Sequence, residues 1–388
     1  MTGPGGGVEV LGQSVVYRNP YPGFRSRVAS ASSACWSRAG APSGYLLCAF
    51  RLGEAKMSPD GRATVRASHD LGVTWVDRPS PLGSAGDGAN EAGIHLGADS
   101  SGTTILAAAR MRMAMPGTSD WSDEAAGIVD ADAVVVRAAA GEGWAMPEIL
   151  DHRRCEGEWA IACGPPLALG SSRWILPMER HARADRQDWL RRYHAFAALS
   201  DDDGRTWPRT VATLNDPDGR LAHYDQRMTL LGDGRLLTVA WVHDVVDDAT
   251  RTARAGISDD GGATWSRPFD SGIVGGPINP ITLRDSRILA VYNRRTLPTG
   301  VRASLSEDDG ATWREEFVIY DEARRAVVGE PAGDGKPASR DPGLWTAMWG
   351  WTFGTPTPVE LPDGSVAVTF FATGFDIVSA IHRVRLQP

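Results

Sequence analysis

Lysine is almost missing from this chain: of its 40 basic residues only Lys56 and Lys336 are lysines, and the rest are arginine. Basic excess is missing too. With a net charge of −8, neither nucleic acid nor an anionic membrane surface is expected as the main partner. Cysteine is scarce, and Cys35, Cys48, Cys155 and Cys163 form no CxxC pair and no metal-ligand spacing. The histidines show no zinc spacing either, so neither a metal nor another cofactor is expected. The four thiols read as small buried hydrophobes, with Cys35 and Cys48 placed to face each other on neighbouring strands. No apolar run nears membrane-spanning length. The opening stretch "MTGPGGGVEV" has no basic segment followed by an apolar one, which points to a cytoplasmic protein with a flexible lead over 1–7. Its "GPGGG" has no strand before it and no helix after it, so it is not a phosphate loop. Runs of helical period are also lacking, while Gly 44 and Pro 25 supply many turns. The fold class is therefore expected to be all-β.

What the chain has in abundance is one octapeptide. "SHDLGVTW" (68–75), "SDDDGRTW" (200–207), "SDDGGATW" (258–265) and "SEDDGATW" (306–313) share Ser first, Asp third, Gly fifth, Thr seventh and Trp eighth. The first gap, 200 − 68 = 132, is about twice the later gaps of 58 and 48, so one unit between them has lost its copy. "VVVRAAAGEGWAMP" (134–147) fits that vacancy, because Gly143-Trp144 keeps the end of the pattern. A second repeat is an apolar strand, a tight polar turn and another apolar strand. It is clear in "MTLLGDGRLLTVAW" (228–241), "ITLRDSRILAVYN" (281–293) and "PVELPDGSVAVTFF" (358–371). Looser copies occupy 28–51, 94–110 and 166–180. Apolar runs split by Asp-Gly predict hairpins. Six hairpins leave about 65 residues each, enough for a four-stranded blade.

The expected architecture is a six-bladed β-propeller of four-stranded antiparallel sheets, with residues 1–388 forming one domain. In each octapeptide the Gly tolerates positive φ, Ser and Asp side chains satisfy the N–H groups of the turn, and the Trp sinks between adjacent sheets. These are structural rivets, and no catalysis is expected of them. No octapeptide follows the last hairpin, so "VEVLGQSVVYR" (8–18) is predicted to supply the last blade's outer strand and close the ring.

The pattern S-x-D-x-G-x-T-W is the Asp-box, or bacterial neuraminidase repeat, and the chain resembles the sialidase superfamily over nearly its whole length. That resemblance implies six blades, with the active site on the face opposite the boxes. It implies a substrate-binding Arg at "SRVAS" (26–30), namely Arg27 with Arg25 as the alternative. It implies a general acid at Asp60, in the loop before the first box. It also implies a second carboxylate at Asp225 in "HYDQRMTLLGDGRLL". Three positions depart from the family pattern. Trp241 stands where a second carboxylate-binding Arg is expected, and Thr355 where the nucleophilic Tyr is expected. The third Arg is open between Arg294, Arg295 and Arg302. Holding a sugar carboxylate takes a guanidinium cluster.

The mouth of such a propeller collects residues before the first strand and after the second strand of each hairpin. Those positions hold Arg51, Glu91, Arg110, Glu158, Glu179 and Arg180, then His223, Tyr224 and Asp225, then Trp241, Asn293 and Arg294. Trp349 and Trp351 add aromatic faces on which a sugar ring could stack. The stretch 180–196 reads as a short helix overhanging the same mouth. Buried charges are expensive unless partnered or functional, so this gathering reads as a polar ligand site.

The expected function is a carbohydrate-active enzyme, a glycoside hydrolase acting on an acidic or polyhydroxylated sugar. Asp60 would protonate the leaving oxygen, Asp225 or Glu158 would act as base or nucleophile, and Arg27 would hold the substrate. Two alternatives stay open: a polysaccharide lyase using His223 or Tyr224 as base, and a sugar-binding propeller without catalysis.

Overall fold

A computed structural model describes residues 8–19, 28–36, 45–53, 60–82, 90–113, 128–140, 142–150, 158–170, 172–182, 194–247, 249–314, 316–322, 353–373 and 379–388. The described elements are all strands, grouped in six antiparallel sheets. Blade 1 runs β2 (Val28–Trp36), β3 (Tyr45–Leu52), β4 (Arg62–Ser68) and β5 (Val76–Arg78). Blade 2 runs β6 (Asn90–Ala98), β7 (Thr104–Met113), β8 (Ile128–Ala138) and β9 (Glu148–Ile149). Blade 3 has β10 (Glu158–Ala162) and β11 (Leu167–Ala168), both paired to β12 (Trp174–Ala182), then β13 (His194–Ser200) and β14 (Arg209–Leu214).

Blade 4 is β15 (Leu221–Leu230), β16 (Leu236–Asp244), β17 (Ala249–Ser258) and β18 (Phe269–Asp270), and blade 5 is β19 (Ile278–Thr282), β20 (Ile288–Arg294), β21 (Gly300–Ser306) and β22 (Phe317–Asp321). Blade 6 joins β23 (Phe353–Glu360), β24 (Val366–Thr373) and β25 (Ser379–Gln387) to β1 (Glu9–Arg18). The predicted closure is therefore present, with Glu9 opposite Gln387 and Arg18 opposite Ala380. Innermost strands of successive blades touch, and β23 returns to β2, so the six sheets form a complete ring.

The core lies in the seams. One cluster joins Leu47, Val65, Ile94 and Leu106 across blades 1 and 2, and another joins Leu289, Val301, Val368 and Phe370 across blades 5 and 6. Strand β16, "LLTVAWVHD", is buried at every position, because sheets cover both its faces and continuous burial replaces alternation.

The octapeptides behave as expected. In all four copies the Thr amide donates to the Asp Oδ1 at 2.8 Å, and the Gly amide donates to the Ser hydroxyl. Positive φ falls on two successive residues, Leu71-Gly72, Asp203-Gly204, Gly261-Gly262 and Asp309-Gly310. A finer rule emerges: the fourth and fifth box positions touch the preceding blade. Asp203 pairs with Arg137 of blade 2, and Asp309 pairs with Arg235 of blade 4. A Cβ on Gly204 would lie 2.3 Å from Ile105, and one on Gly262 would lie 2.8 Å from Ile175. The box Gly is thus required for close approach as well as for its backbone angle. Trp207 completes the burial, joining Ile105 and Val135 of blade 2 to Trp174 and Phe196 of its own blade. In blade 2, where the box is lost, Trp144 still packs into the seam with blade 1.

Three expectations are corrected. Residues 180–182 and 194–196, read as parts of a helix, belong to β12 and β13, while 183–193 lie outside the described residues. The two strands pair with Met178 opposite Phe196 and Arg180 opposite His194. The third blade's inner strand is broken rather than a single run within 166–180. Gly164-Pro165-Pro166 interrupts it, since proline has no N–H to give the ladder. Cys48 is buried opposite Ser33, and Cys35 lies opposite Leu46. The register is offset by two residues, which rules out a bridge to Cys48. The predicted flexible lead over 1–7 lies outside the described residues.

Candidate functional site

The boxes lie at the turn between third and fourth strands, which places them at the same end as the hairpin turns between the first and second strands. The opposite mouth is formed by the beginnings of the first strands and the ends of the second. Asp225 lies halfway along β15, the innermost strand of blade 4. Its φ of 51° and the register shift between Tyr224 and Arg227 make a bulge in the innermost strand. Matching irregularities occur in β6, at Gly93 with φ 55°, and in β23, at Thr355 with φ 46°. Bulges re-aim side chains and recur beside functional sites. Here the bulge leaves the Asp225 side chain 36% exposed between buried Tyr224 and Gln226.

Four neighbours hold Asp225. Its amide donates to Glu179 Oε2 of blade 3 at 3.0 Å. Its Oδ2 accepts the Trp241 indole N–H at 3.0 Å, and its Oδ1 lies 3.5 Å from the Arg227 guanidinium. Arg295 of blade 5 feels its charge. Burial raises the Asp225 carboxyl above its ordinary value; Arg227 pulls it down, Glu179 pushes it further up, and the net direction is upward.

The floor beneath Asp225 is polar and closed. Gln226 donates to the carbonyls of Met178 and Phe196 in blade 3, and accepts from Thr213 and Thr238. That fixes the bulge of blade 4 to its neighbour. Arg227, 3% exposed, also depresses the buried His95, although burial is the larger cause. Burial pushes the Cys163 thiol up, with Glu179 adding to it. Neither residue is poised for nucleophilic work.

Trp241 is 6% exposed. Its ring stacks on Tyr224, with centroids 4.6 Å apart, and abuts Gly276, where a Cβ would lie 2.3 Å from the indole. It therefore works as a wall that orients Asp225, and cannot offer a stacking face to a sugar. Tyr224 is equally buried, and burial raises its phenol well above the ordinary value, with Glu179 adding to the rise. His223, also buried, is lowered to about 4, mainly by burial.

Most of the remaining mouth residues brace the ring. Arg51, 1% exposed, donates to Asn90 across blades 1 and 2 at 2.8 Å. Burial lowers it to about 10 against the raising effect of Asp60. Glu91 is wholly buried, accepts the Ala63 amide at 2.8 Å and lies 3.7 Å from Arg110, which itself donates to the Leu82 carbonyl. Arg180 lies over the Phe196 ring. Arg294 pairs with Glu316 on the outer side of blade 5. Arg302 is 1% exposed and donates to the carbonyls of Pro298 and Tyr320, so its guanidinium is turned away from the axis. Asn293 is buried and donates to the Gly276 carbonyl.

Of the arginines left open by the family pattern, Arg295 faces the site. It donates to the Phe353 carbonyl at 3.1 Å and lies over that ring. Burial lowers it to about 9, opposed by Asp225. Asp60 is an exposed turn residue just before β4. Glu158 opens β10 opposite Ala182, and its side chain is outside the description. Arg25, Arg27, Trp349 and Trp351 lie outside the described residues. Among the described residues, no three His, Cys, Asp or Glu side chains gather so as to hold a metal ion.

Arg227 and Gln226 were not among the sequence candidates. Their signal was the charged and amide pair "QR" inside the otherwise apolar strand "QRMTLL".

Comparisons with known proteins agree with the propeller fold. A protein of unknown function from Dyadobacter fermentans superposes with a TM-score of 0.71 at 20% identity, covering 98% of this chain and 99% of that one. The intramolecular trans-sialidase of Ruminococcus gnavus gives 0.61 at 14% identity, covering 94% and 96%. The Trypanosoma rangeli sialidase in complex with sialic acid gives 0.63 at 12% identity, covering 96% of this chain and 59% of that one. No protein of curated function matches the sequence. The BNR repeat-like domain model matches residues 140–368, more than half of the chain. This chain belongs to the family of BNR repeat-like domains and has the six-bladed propeller fold of the sialidases.

Proposed function

We propose that the chain is a glycoside hydrolase working at the propeller mouth, with Asp225 at the centre of its chemistry. The observation that carries this reading is a carboxylate on the innermost strand of blade 4, one-third exposed, held by donors on both oxygens and raised by burial. A carboxylate lifted toward the working pH range is suited to take up a proton in the reaction. Glycoside hydrolysis needs a second carboxyl to protonate the leaving oxygen, and Asp60, exposed in the turn before β4, is the candidate for that role. Asp225 then serves as base toward water, or as nucleophile toward the anomeric carbon. The lyase alternative is disfavoured, because Tyr224 and His223 are buried and the Tyr224 phenol is harder to ionise than usual.

The test is a screen of chromogenic glycosides with the native chain, Asp225→Asn and Asp60→Asn. Asp225→Asn is expected to lose activity about 100-fold or more with no fall in melting temperature. Asn keeps a side-chain oxygen that can accept the Trp241 indole N–H, so the fold is expected to hold. The acid limb of kcat/KM should rise with pH through a value above that of an ordinary aspartate. Full activity in Asp225→Asn would end this reading, whereas binding of sugars without turnover by the native chain would favour a non-catalytic propeller.

A further inference from the structure

We infer that Gly93, on the innermost strand of blade 2, is a specificity-determining position: its missing side chain leaves a notch that takes one hydroxyl group of the bound sugar, beside His95. The inference rests on the sugar being held at Asp225 as proposed above.

One backbone distortion recurs in β6, β15 and β23. Each of these strands gains one residue over its partner, between Ala92 and His95, Tyr224 and Arg227, and Gly354 and Thr357. The first residue of each bulge has a left-handed angle, with φ of 55° at Gly93, 51° at Asp225 and 46° at Thr355. All three are half-buried between two buried neighbours, on the innermost strands of blades 2, 4 and 6. The same device thus presents a carboxylate in blade 4, a hydroxyl in blade 6 and no side chain in blade 2.

The fold does not demand that glycine. Asp225 and Thr355 hold the same angle with side chains attached. Space does not demand it either. Among the described residues, a Cβ on Gly93 would lie 3.4 Å from the Ala162 carbonyl oxygen and 3.7 Å from His95 Nε2, which are ordinary contacts. Gly164 of blade 3 is the contrast: a Cβ there would lie 2.6 Å from the Gln226 carbonyl oxygen, so close approach excludes any side chain.

The notch has a polar group of its own and shares neighbours with Asp225. His95 is 6% exposed, and burial holds its imidazole well below the ordinary histidine value, so the ring is neutral at pH 7. A neutral imidazole has one N–H and one lone pair, which suits a hydroxyl that both donates and accepts. Ala162 precedes Cys163, whose thiol lies 3.8 Å from the carbonyl oxygen of Gln226, the residue after Asp225. Arg227 acts electrostatically on His95 and lies 3.5 Å from Asp225 Oδ1.

Ligand-observed NMR titrations at pH 7 test this with the methyl glycosides of glucose, galactose, mannose, glucuronate and N-acetylneuraminate. The native chain should bind at least one of them. Gly93→Asn, chosen because asparagine tolerates left-handed angles, should melt close to the native chain. It should bind that sugar about tenfold or more weakly, as expected when a hydrogen bond is lost to a filled notch. One monodeoxy analogue of the sugar should show the same loss with the native chain and no further loss with Gly93→Asn. Native affinity in Gly93→Asn would overturn the inference, as would deoxy losses that are equal in the two proteins. If Gly93→Asn and Gly93→Ala both fail to fold, the glycine is structural and the inference falls. In each of these cases the glycosidase reading is still decided by Asp225→Asn. Binding of none of the five would overturn both.

Discussion

The two faces of the wheel use the same side chain in opposite ways. On the box face, Asp260 accepts from the hydroxyl and amide of Thr264 and from Ser258, and these bonds bring its carboxyl down to about 2. Asp70 does the same: burial alone would raise it, yet Thr74 and Ser68 bring it to about 2. On the mouth face, Asp225 sits on a kinked strand with Glu179 beside it, and burial raises it. A carboxylate wrapped by hydroxyl and amide donors is an inert part of a turn, whereas one whose burial outweighs its donors is raised and retains reactivity. Repetition follows the same division. Four boxes share one geometry because each solves the same seam, and the mouth is unrepeated because each blade adds a different group.

Variants on either face can break or sharpen this contrast. The largest stability effect belongs to the seams. Trp207→Ala should lose about 3–5 kcal/mol in denaturant unfolding, while turnover per folded molecule changes little. A large loss of turnover at full folding would show that the faces are coupled. Next comes Gly204→Ala, where a Cβ would meet Ile105 at 2.3 Å with φ at +75°. A cost of about 1–3 kcal/mol is expected, against no measurable effect for Gly143→Ala, where a Cβ would meet nothing.

Acid has the most graded effect. Box carboxyls held near 2 in the fold and near 3.9 unfolded give stability that is present above about 4. It is lost as pH falls toward the folded value. The melting temperature should therefore be flat from about pH 5 to 7 and fall below about 4. Asp260→Asn should make that fall shallower, and an unchanged slope would contradict the box account.

The fold was largely legible from the sequence because its signals are local and repeated. Box spacing counted the blades, Gly143-Trp144 marked the degenerate one, and "VEVLGQSVVYR" identified the closing strand. The site was legible only in part. Strand-end positions picked out Asp225, Glu179 and Trp241, which touch one another, but they could not say where a long side chain turns. Arg51 and Arg294 stand at those positions and turn into braces between strands and blades, a choice set by tertiary partners such as Asn90 and Glu316. Arg227 went unrecognised because strand alternation does not survive a bulge, and the bulge follows from the left-handed angle at Asp225 rather than from a glycine.

The most direct test of the contrast needs no substrate. Carboxyl-carbon NMR titration of aspartate-labelled protein, with Asp225→Asn and Asp260→Asn to assign the two signals, reads both groups in one molecule. Asp260 should titrate at about 2, and Asp225 should titrate above the ordinary aspartate value. If Asp225 titrates at or below the value of Asp260, the mouth carboxylate is just another satisfied turn residue and the division between the two faces fails.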